Sequence, residues 1–316
     1  MTVPTILILN KLADRHQTMI QTAAPGYTLV SCDLAEASQF IADTEILVTW
    51  GWMDIRPLYL AAPNLKWVHV LSAGVEAMAF PEIQTSDTIL TNSRGIHGIP
   101  ISEHIFAMIL AFTRGLNLLL RKQLAKTWER VPTTEIHERT LGIIGLGSIG
   151  REIAKKAKGL GMHVLAAKRE MTTELFVDRL YPADKILDML PECDFVVVAL
   201  PLTEDTRHSI TLEYFSTMKR SAYFLNISRG AVVREDDLIA ALEQKLIAGA
   251  GLDVFETEPL PETNPLWDFE NVIISPHIAA LSPHYLDRAV KLFADNLARY
   301  VDKRDMLNMI DKQKGY

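Results

Sequence analysis

Short apolar runs alternate with longer segments of helical periodicity along the whole chain. Runs rich in Val and Ile predict strands at 5–9, 27–30, 46–49, 67–70 and 89–91. A second series is predicted at 141–144, 163–166, 195–199, 223–226, 248–252 and 272–275. Phe-Val-Val-Val-Ala at 195–199 is apolar at consecutive positions, as in a parallel strand covered on both faces. Strands alternating with helices predict a doubly wound α/β architecture with two parallel sheets, of about five and six strands.

The longest helical pattern covers 101–126, after Pro100, a residue suited to a helix entrance. Its apolar residues fill more than one stripe, which predicts one long helix buried between layers. A polar stretch, 127–139, follows it. Another helix is expected at 234–244, where Glu235, Asp236 and Asp237 complement the helix dipole. A last helix at 283–303 is long enough to return to the first sheet. There is no repeat of solenoid period and no low-complexity tract.

The 316 residues suffice for one large α/β domain or two ordinary ones. Acidic residues outnumber basic ones, 39 to 32, for a net charge of −7. That balance argues against nucleic acid as a partner, because phosphate contacts need Lys and Arg. The longest apolar runs, such as 105–112, fall short of the roughly 20 residues a bilayer span requires, so no membrane partner is expected. The start, MTVPTILILNK, lacks a basic region and a cleavage site, and the two cysteines, Cys32 and Cys193, have no zinc or disulfide spacing. A reducing cytoplasm is the expected compartment.

The strongest local signal is Leu141-Gly-Ile-Ile-Gly-Leu-Gly-Ser-Ile-Gly150. Gly145, Gly147 and Gly150 spell G-x-G-x-x-G between a predicted strand and a predicted helix at 148–160, the context that a dinucleotide fingerprint needs. Gly145 permits the tight turn, Gly147 lets a diphosphate approach the backbone, and Gly150 lets helix pack on strand. Amides around Ser148 and Ile149 can hold phosphate oxygens. A glycine-rich turn that binds nothing is the bland alternative. Ser148 does not fit a hydrolase elbow, since G-x-S-x-G needs Gly where Leu146 stands.

The strand at 163–166 should end near the adenosine ribose, where cofactors lacking a 2′-phosphate usually meet an acid. This chain has Ala167-Lys168-Arg169 instead. Lys and Arg attract a 2′-phosphate that a carboxylate would repel, so NADP(H) is preferred, with NAD(H) possible. The alternatives are solvated loop charges, or Glu170 turning back to act as the missing acid.

In a doubly wound sheet, ligands bind beyond the carboxyl ends of the strands. The strand at 195–199 runs into Leu200-Pro201-Leu202-Thr203, and that at 223–226 into Ile227-Ser228-Arg229-Gly230. The strand at 248–252 runs into Asp253-Val254-Phe255-Glu256-Thr257-Glu258-Pro259, and that at 272–275 into Pro276-His277-Ile278-Ala279. An Arg, an acid and a His therefore follow three separate strands at one edge. Singly, each could be a surface charge, a loop acid or a structural histidine; jointly they form a coherent site. His69, His97, His104 and His284 have no comparable partner by sequence and read as structural or exposed. No HExxH or other metal-ligand spacing occurs, which favours chemistry without a metal.

These motifs, in this order and spacing, resemble the D-isomer-specific 2-hydroxyacid dehydrogenases over most of the chain. The resemblance implies a flavodoxin-like substrate domain built from both chain ends, 1–98 and 286–316, with a Rossmann dinucleotide domain inserted at 99–285. It implies that Arg229, Glu258 and His277 are catalytic and that Asp253 lies beside the nicotinamide carboxamide. It carries cofactor contacts onto Leu200, Pro201, Thr206, Ile227, Ser228, Arg229, His277 and Ala279, besides the glycine turn. A loop that binds the substrate carboxylate through backbone amides resembles Ser72-Ala73-Gly74-Val75-Glu76, with Ala73 and Gly74 as contacts and Gly74 suited to close approach. An ordinary strand-to-helix turn is the alternative there. Family members are typically dimeric through the region of 101–126 and the segment after it. A homodimer is therefore expected, with Trp128 reaching the neighbouring pocket or only packing in the interface.

Lys168-Arg169 resembles the glyoxylate and hydroxypyruvate reductase branch, which uses NADPH. Glu258 disfavours the formate dehydrogenase branch. The implied reaction is reduction of a small 2-keto acid to a D-2-hydroxy acid: the nicotinamide gives hydride, His277 gives the proton, Glu258 orients the imidazole, and Arg229 stabilises developing charge. The competing readings are an NAD-linked D-2-hydroxyacid or phosphoglycerate dehydrogenase, and a dinucleotide-sensing, corepressor-like binding protein.

Overall fold

A computed structural model describes residues 3–312, apart from the side chain of Glu76. The chain divides into two compact units, one joining 1–96 to 282–316 and the other spanning 97–281. The junctions thus fall at 96/97 and 281/282 rather than at 98/99 and 285/286.

In the first unit the elements are β1 (Thr5–Ile8), α1 (Asp14–Ala23), β2 (Thr28–Ser31), β3 (Thr44–Thr49), α2 (Arg56–Leu60), β4 (Trp67–Val70), α3 (Pro81–Gln84) and β5 (Ile89–Asn92). The chain's last helix, α10 (Tyr285–Val301), also belongs here. The five strands are parallel, in the order β2-β1-β3-β4-β5. Side chains alternate across a strand, so β1 sends Ile6 and Ile8 to one face and Leu7 to the other. Ile6 and Ile8 join Ile46, Val48, Trp67 and, from α10, Val290, Phe293 and Leu297. Leu7 joins Leu47, Val68, Val70, Phe80 and Ile83. Both faces are covered, which accounts for strands apolar at consecutive positions.

The second unit begins with α4 (Gly98–Thr113) and α5 (Leu116–Leu124). It continues with β6 (Thr140–Ile144), α6 (Ser148–Gly159), β7 (His163–Lys168), β8 (Arg179–Pro182), α7 (Ile186–Met189) and β9 (Phe195–Val198). α8 (Leu212–Thr217), β10 (Tyr223–Asn226), α9 (Glu235–Glu243), β11 (Gly249–Leu252) and β12 (Val272–Ile274) complete it. Its sheet is parallel throughout, in the order β12-β11-β10-β9-β6-β7-β8. Phe195 and Val197 pack on one face with Ile105, Ile109, Phe112 and Ile153. Val196 and Val198 pack on the other with Phe215, Phe224 and Leu242.

Two expectations need correction. The second sheet has seven strands, not six. The additional one, β8, reads Arg-Leu-Tyr-Pro and has no apolar run, because it lies at the edge; an edge strand also tolerates Pro182. The expected helix over 101–126 is two helices bent by 69°. Gly115 makes the break: its φ is +65°, and a Cβ there would lie 2.6 Å from Cγ2 of Val131. α4 is buried as expected, whereas no residue of α5 is. No single helix among the described residues is long and apolar enough to cross a membrane.

Candidate active site

The strand order of the second unit reverses direction between β6 and β9, and the glycine turn sits at that switch point. Gly145 takes φ +99° and packs so tightly on the end of β9 that a Cβ would lie 2.7 Å from the Ala199 carbonyl oxygen. A Cβ on Gly150 would lie 2.5 Å from the Gly145 oxygen, so Gly150 sets how closely α6 approaches the turn. Among the described residues, nothing comes within 4 Å of a Cβ position on Gly147. This open side faces the start of α6, where the amides of Ser148 and Ile149 have no intrahelical partner. The turn therefore fits a dinucleotide diphosphate in both shape and electrostatics.

The ribose end differs from expectation. Lys168 is not waiting for a phosphate: its Nζ donates to Glu174 Oε1 at 2.7 Å and to Thr172 Oγ1 at 2.9 Å. Arg151, in the first turn of α6, grips the same carboxylate with two nitrogens, at 2.7 and 2.8 Å. These hydrogen bonds, Arg151's foremost, hold the Glu174 carboxyl down to about 2. Arg169 is exposed and makes no ion pair among the described residues. The acid that turns back is thus Glu174 rather than Glu170.

At the neighbouring strand ends, Leu200 and Pro201 open the turn after β9. The Thr206 hydroxyl shapes that turn, accepting from the Thr203 amide at 2.8 Å and donating to the Pro201 carbonyl at 2.6 Å. After β10, Asn226 Oδ1 accepts from both the amide and the hydroxyl of Ser228, and its Nδ2 donates to the Arg229 carbonyl. Ile227 and Ser228 are buried under this knot. Gly230 lies against the β11 loop so closely that a Cβ would sit 1.8 Å from the Phe255 carbonyl carbon.

Asp253, at the end of β11, is buried and shapes the loop after β12. Its Oδ1 accepts from Ser275 Oγ at 2.6 Å and from the Ile278 amide at 2.9 Å, and its Oδ2 from the Ala279 amide at 2.9 Å. His277, at φ +53°, is the residue this loop presents. His277 Nδ1 lies 2.8 Å from Glu258 Oε2, and Glu258 Oε1 accepts from the Phe255 amide at 3.0 Å. An ionised carboxylate only accepts, so Nδ1 donates and Nε2 is left for a ligand. Arg229, Glu258 and His277 together line an open cavity of about 240 Å³ with Leu202, Ala231 and Phe255. His97 is buried near Arg229; burial, and then the Arg229 charge, lower its pKa to about 4. At neutral pH it adds no second cation.

In the first unit the expected carboxylate loop follows β4. Ser72 accepts from the Gly51 amide at 3.0 Å and donates to the Gly74 carbonyl at 2.9 Å, while Asn92 Nδ2 donates to the Ala73 carbonyl at 2.6 Å. The carbonyls are thereby tied back, and the amides of Ala73, Gly74 and Val75 donate to nothing among the described residues. The side chain of Glu76 lies outside those residues. The exposed indole of Trp52 stacks on Trp50 beside this loop, ring centroids 4.6 Å apart. Trp128, back in the second unit, is fully exposed beyond the end of α5.

Several contributors carried no sequence signal that would have singled them out. His104, read as lacking a partner, has its Nε2 2.8 Å from Ser275 Oγ and so extends the Asp253 network. Arg151, Glu174 and Trp52 belong to no recognised motif. Asn226 opens the Asn-Ile-Ser-Arg-Gly run at a strand end and so carried a hint of its own.

Residues 106–279 match the family model described as D-isomer specific 2-hydroxyacid dehydrogenase, NAD binding domain. A glyoxylate reductase of Korarchaeum cryptofilum is 34% identical over 266 residues, covering 81% of this chain and 79% of its own. A D-isomer specific 2-hydroxyacid dehydrogenase family protein from Aeromonas salmonicida superposes with a TM-score of 0.90 at 32% identity, over 98% of this chain and all of that one. An NADPH-dependent glyoxylate/hydroxypyruvate reductase from Sinorhizobium meliloti, solved with NADP and sulfate, superposes at 0.84 with 27% identity, over 99% of this chain and all of that one. With this turn and this edge on one parallel sheet, the chain belongs to the D-isomer specific 2-hydroxyacid dehydrogenase family, as an NAD(P)-dependent oxidoreductase of two α/β domains.

Proposed function

We propose that the protein reduces a small 2-keto acid of the glyoxylate or hydroxypyruvate type to the corresponding 2-hydroxy acid, of D configuration where C2 is a stereocentre, with NADPH preferred. The observation that carries this reading is the 2.8 Å bond from His277 Nδ1 to Glu258, on the edge that also bears Arg229. Relatives named glyoxylate reductase, and a neighbour solved with NADP, support the substrate class and the cofactor.

A bound nicotinamide supplies the hydride. As the keto carbon accepts it, the carbonyl π pair moves onto oxygen, and that oxygen takes the proton from Nε2 of imidazolium His277. Glu258 holds the ring so that Nε2 is the nitrogen presented, and its negative charge balances the imidazolium. Arg229 donates to the substrate oxygens and stabilises negative charge as it develops. Amides of Ala73, Gly74 and Val75 bind the carboxylate. Asp253 fixes the loop that carries His277 and would help to hold the carboxamide of a bound nicotinamide.

Assembly is proposed as a homodimer through α5 and the segment after it. Leu116, Leu120 and Leu124 are exposed there, Leu124 at 85%, as is Trp128. An apolar helix face in water is the ordinary mark of an interface.

A second reading, comparable use of NADH, draws on the ion pair that already neutralises Lys168. The test is consumption of NADPH and of NADH with glyoxylate, hydroxypyruvate, phenylpyruvate and branched 2-keto acids. Turnover of glyoxylate or hydroxypyruvate with higher kcat/KM for NADPH is expected. Equal kcat/KM for the two cofactors would favour the second reading, and no turnover of any keto acid would reject the function.

A further inference from the structure

Three cations meet at the ribose end of the dinucleotide site. Lys168 and Arg169 follow one another at the end of β7, and Arg151 projects from the first turn of α6, which starts at the diphosphate turn. A single carboxylate serves two of them. Glu174 Oε1 is 2.7 Å from Lys168 Nζ and 2.7 Å from Arg151, and Oε2 is 2.8 Å from the Arg151 Nε. Thr172 donates to the same Oε1 at 3.3 Å. The Glu174 side chain is 7% exposed, so this is a built site and not a loose surface pairing.

An oxygen held by a lysine, an arginine fork and a hydroxyl has the surroundings of a bound phosphate oxygen. We propose that Glu174 is an internal anion that competes with the cofactor's 2′-phosphate for Lys168 and Arg151, so that it sets how strongly the enzyme discriminates NADP(H) from NAD(H). The proposal rests on the reading of this edge as a 2′-phosphate site. With Glu174 in place, Arg169 is the cation that confers preference, and Lys168 and Arg151 contribute only when the 169–178 segment yields its carboxylate. The carboxylate stays ionised through the neutral range, because its two cations hold the carboxyl near 2. The restraint is therefore permanent and not a pH switch. Glu174 does not touch the reacting atoms; it is a specificity residue.

The experiment is calorimetric titration of the whole protein with adenosine 2′,5′-bisphosphate and adenosine 5′-monophosphate, whose difference isolates the 2′-phosphate. In Glu174→Gln the bisphosphate is expected to bind on the order of tenfold tighter than in the parent, because Lys168 and Arg151 then turn their charge-assisted contacts to the 2′-phosphate. The monophosphate should bind as before, which also reports an intact pocket. Bisphosphate affinity that is unchanged or weaker, with monophosphate binding retained, overturns the proposal. If Glu174→Gln fails to fold, Lys168→Met decides. A change in bisphosphate affinity below about twofold supports the proposal; a loss as large as that of Arg169→Ala makes Lys168 a working ligand and overturns it. Failure of the underlying reading looks different: the parent then binds both nucleotides equally, and Arg169→Ala changes neither.

Discussion

His277 Nδ1 stands 2.8 Å from Glu258 Oε2, and the other oxygen of that carboxylate is held by the Phe255 amide. The imidazole is therefore fixed through a group that is itself fixed to the backbone. His277→Ala is expected to lower kcat by about 10²–10⁴-fold, the usual contribution of general acid–base catalysis. Cofactor affinity should be nearly unchanged. Glu258→Gln, which keeps the shape but not the charge, should lose less. Steady-state kinetics with fluorescence titration of NADPH checks both, and near-normal turnover in His277→Ala removes it as the proton donor.

The two cations at the end of β7 should separate by mutation. Arg169 is exposed without an ion pair among the described residues, whereas Lys168 is bonded to Glu174. Arg169→Ala is expected to remove most of the NADPH preference in kcat/KM, and Lys168→Ala only a small part. Equal effects would mean that the Glu174 contact is broken whenever cofactor binds.

Assembly can be tested on α5. Leu120→Glu together with Leu124→Glu places two charges at exposed positions of α5. A dimer should become a monomer by sedimentation, with little change in the thermal midpoint extrapolated to low protein concentration. A parent that is monomeric at micromolar concentration would rule out this interface.

His69 is fully buried between Thr91 and Ser93, and burial lowers its pKa to about 3. The unfolded chain takes up this proton near the ordinary histidine value of about 6.5. Between those values the unfolded state binds more protons, so stability falls as pH drops from about 6.5 toward 3. In His69→Gln, which does not titrate, the decline of the thermal midpoint over pH 6 to 4 should be shallower. Parallel curves for parent and variant would show that His69 is not a source of the slope.

What the sequence reveals and what it hides have physical causes here. Buried parallel strands such as 195–198 stand out because both faces are apolar. The glycine turn stands out because sterics leave Gly145 and Gly150 no substitute. Edge strand β8 is hidden because half its environment is solvent. The bend at Gly115 is hidden because apolar residues continue through it, Ile and Phe facing the core before the break and leucines exposed after it. Side-chain partnerships are hidden wherever the fold brings distant residues together: His104 meets Ser275 from 171 positions away. Glu174 is only six positions from Lys168, but it lies in a loop with no period to mark it.

At Gly230 the loop bearing Arg229 touches the backbone of the loop bearing Glu258, with no room for even one methyl group. The two loops therefore move as one body, and a change that shifts either residue displaces the other with it. Retuning this enzyme for a new keto acid, in a laboratory or over generations, has to leave that joint alone. The freedom to vary lies in side chains that line the cavity without holding it together, such as those of Leu202 and Ala231.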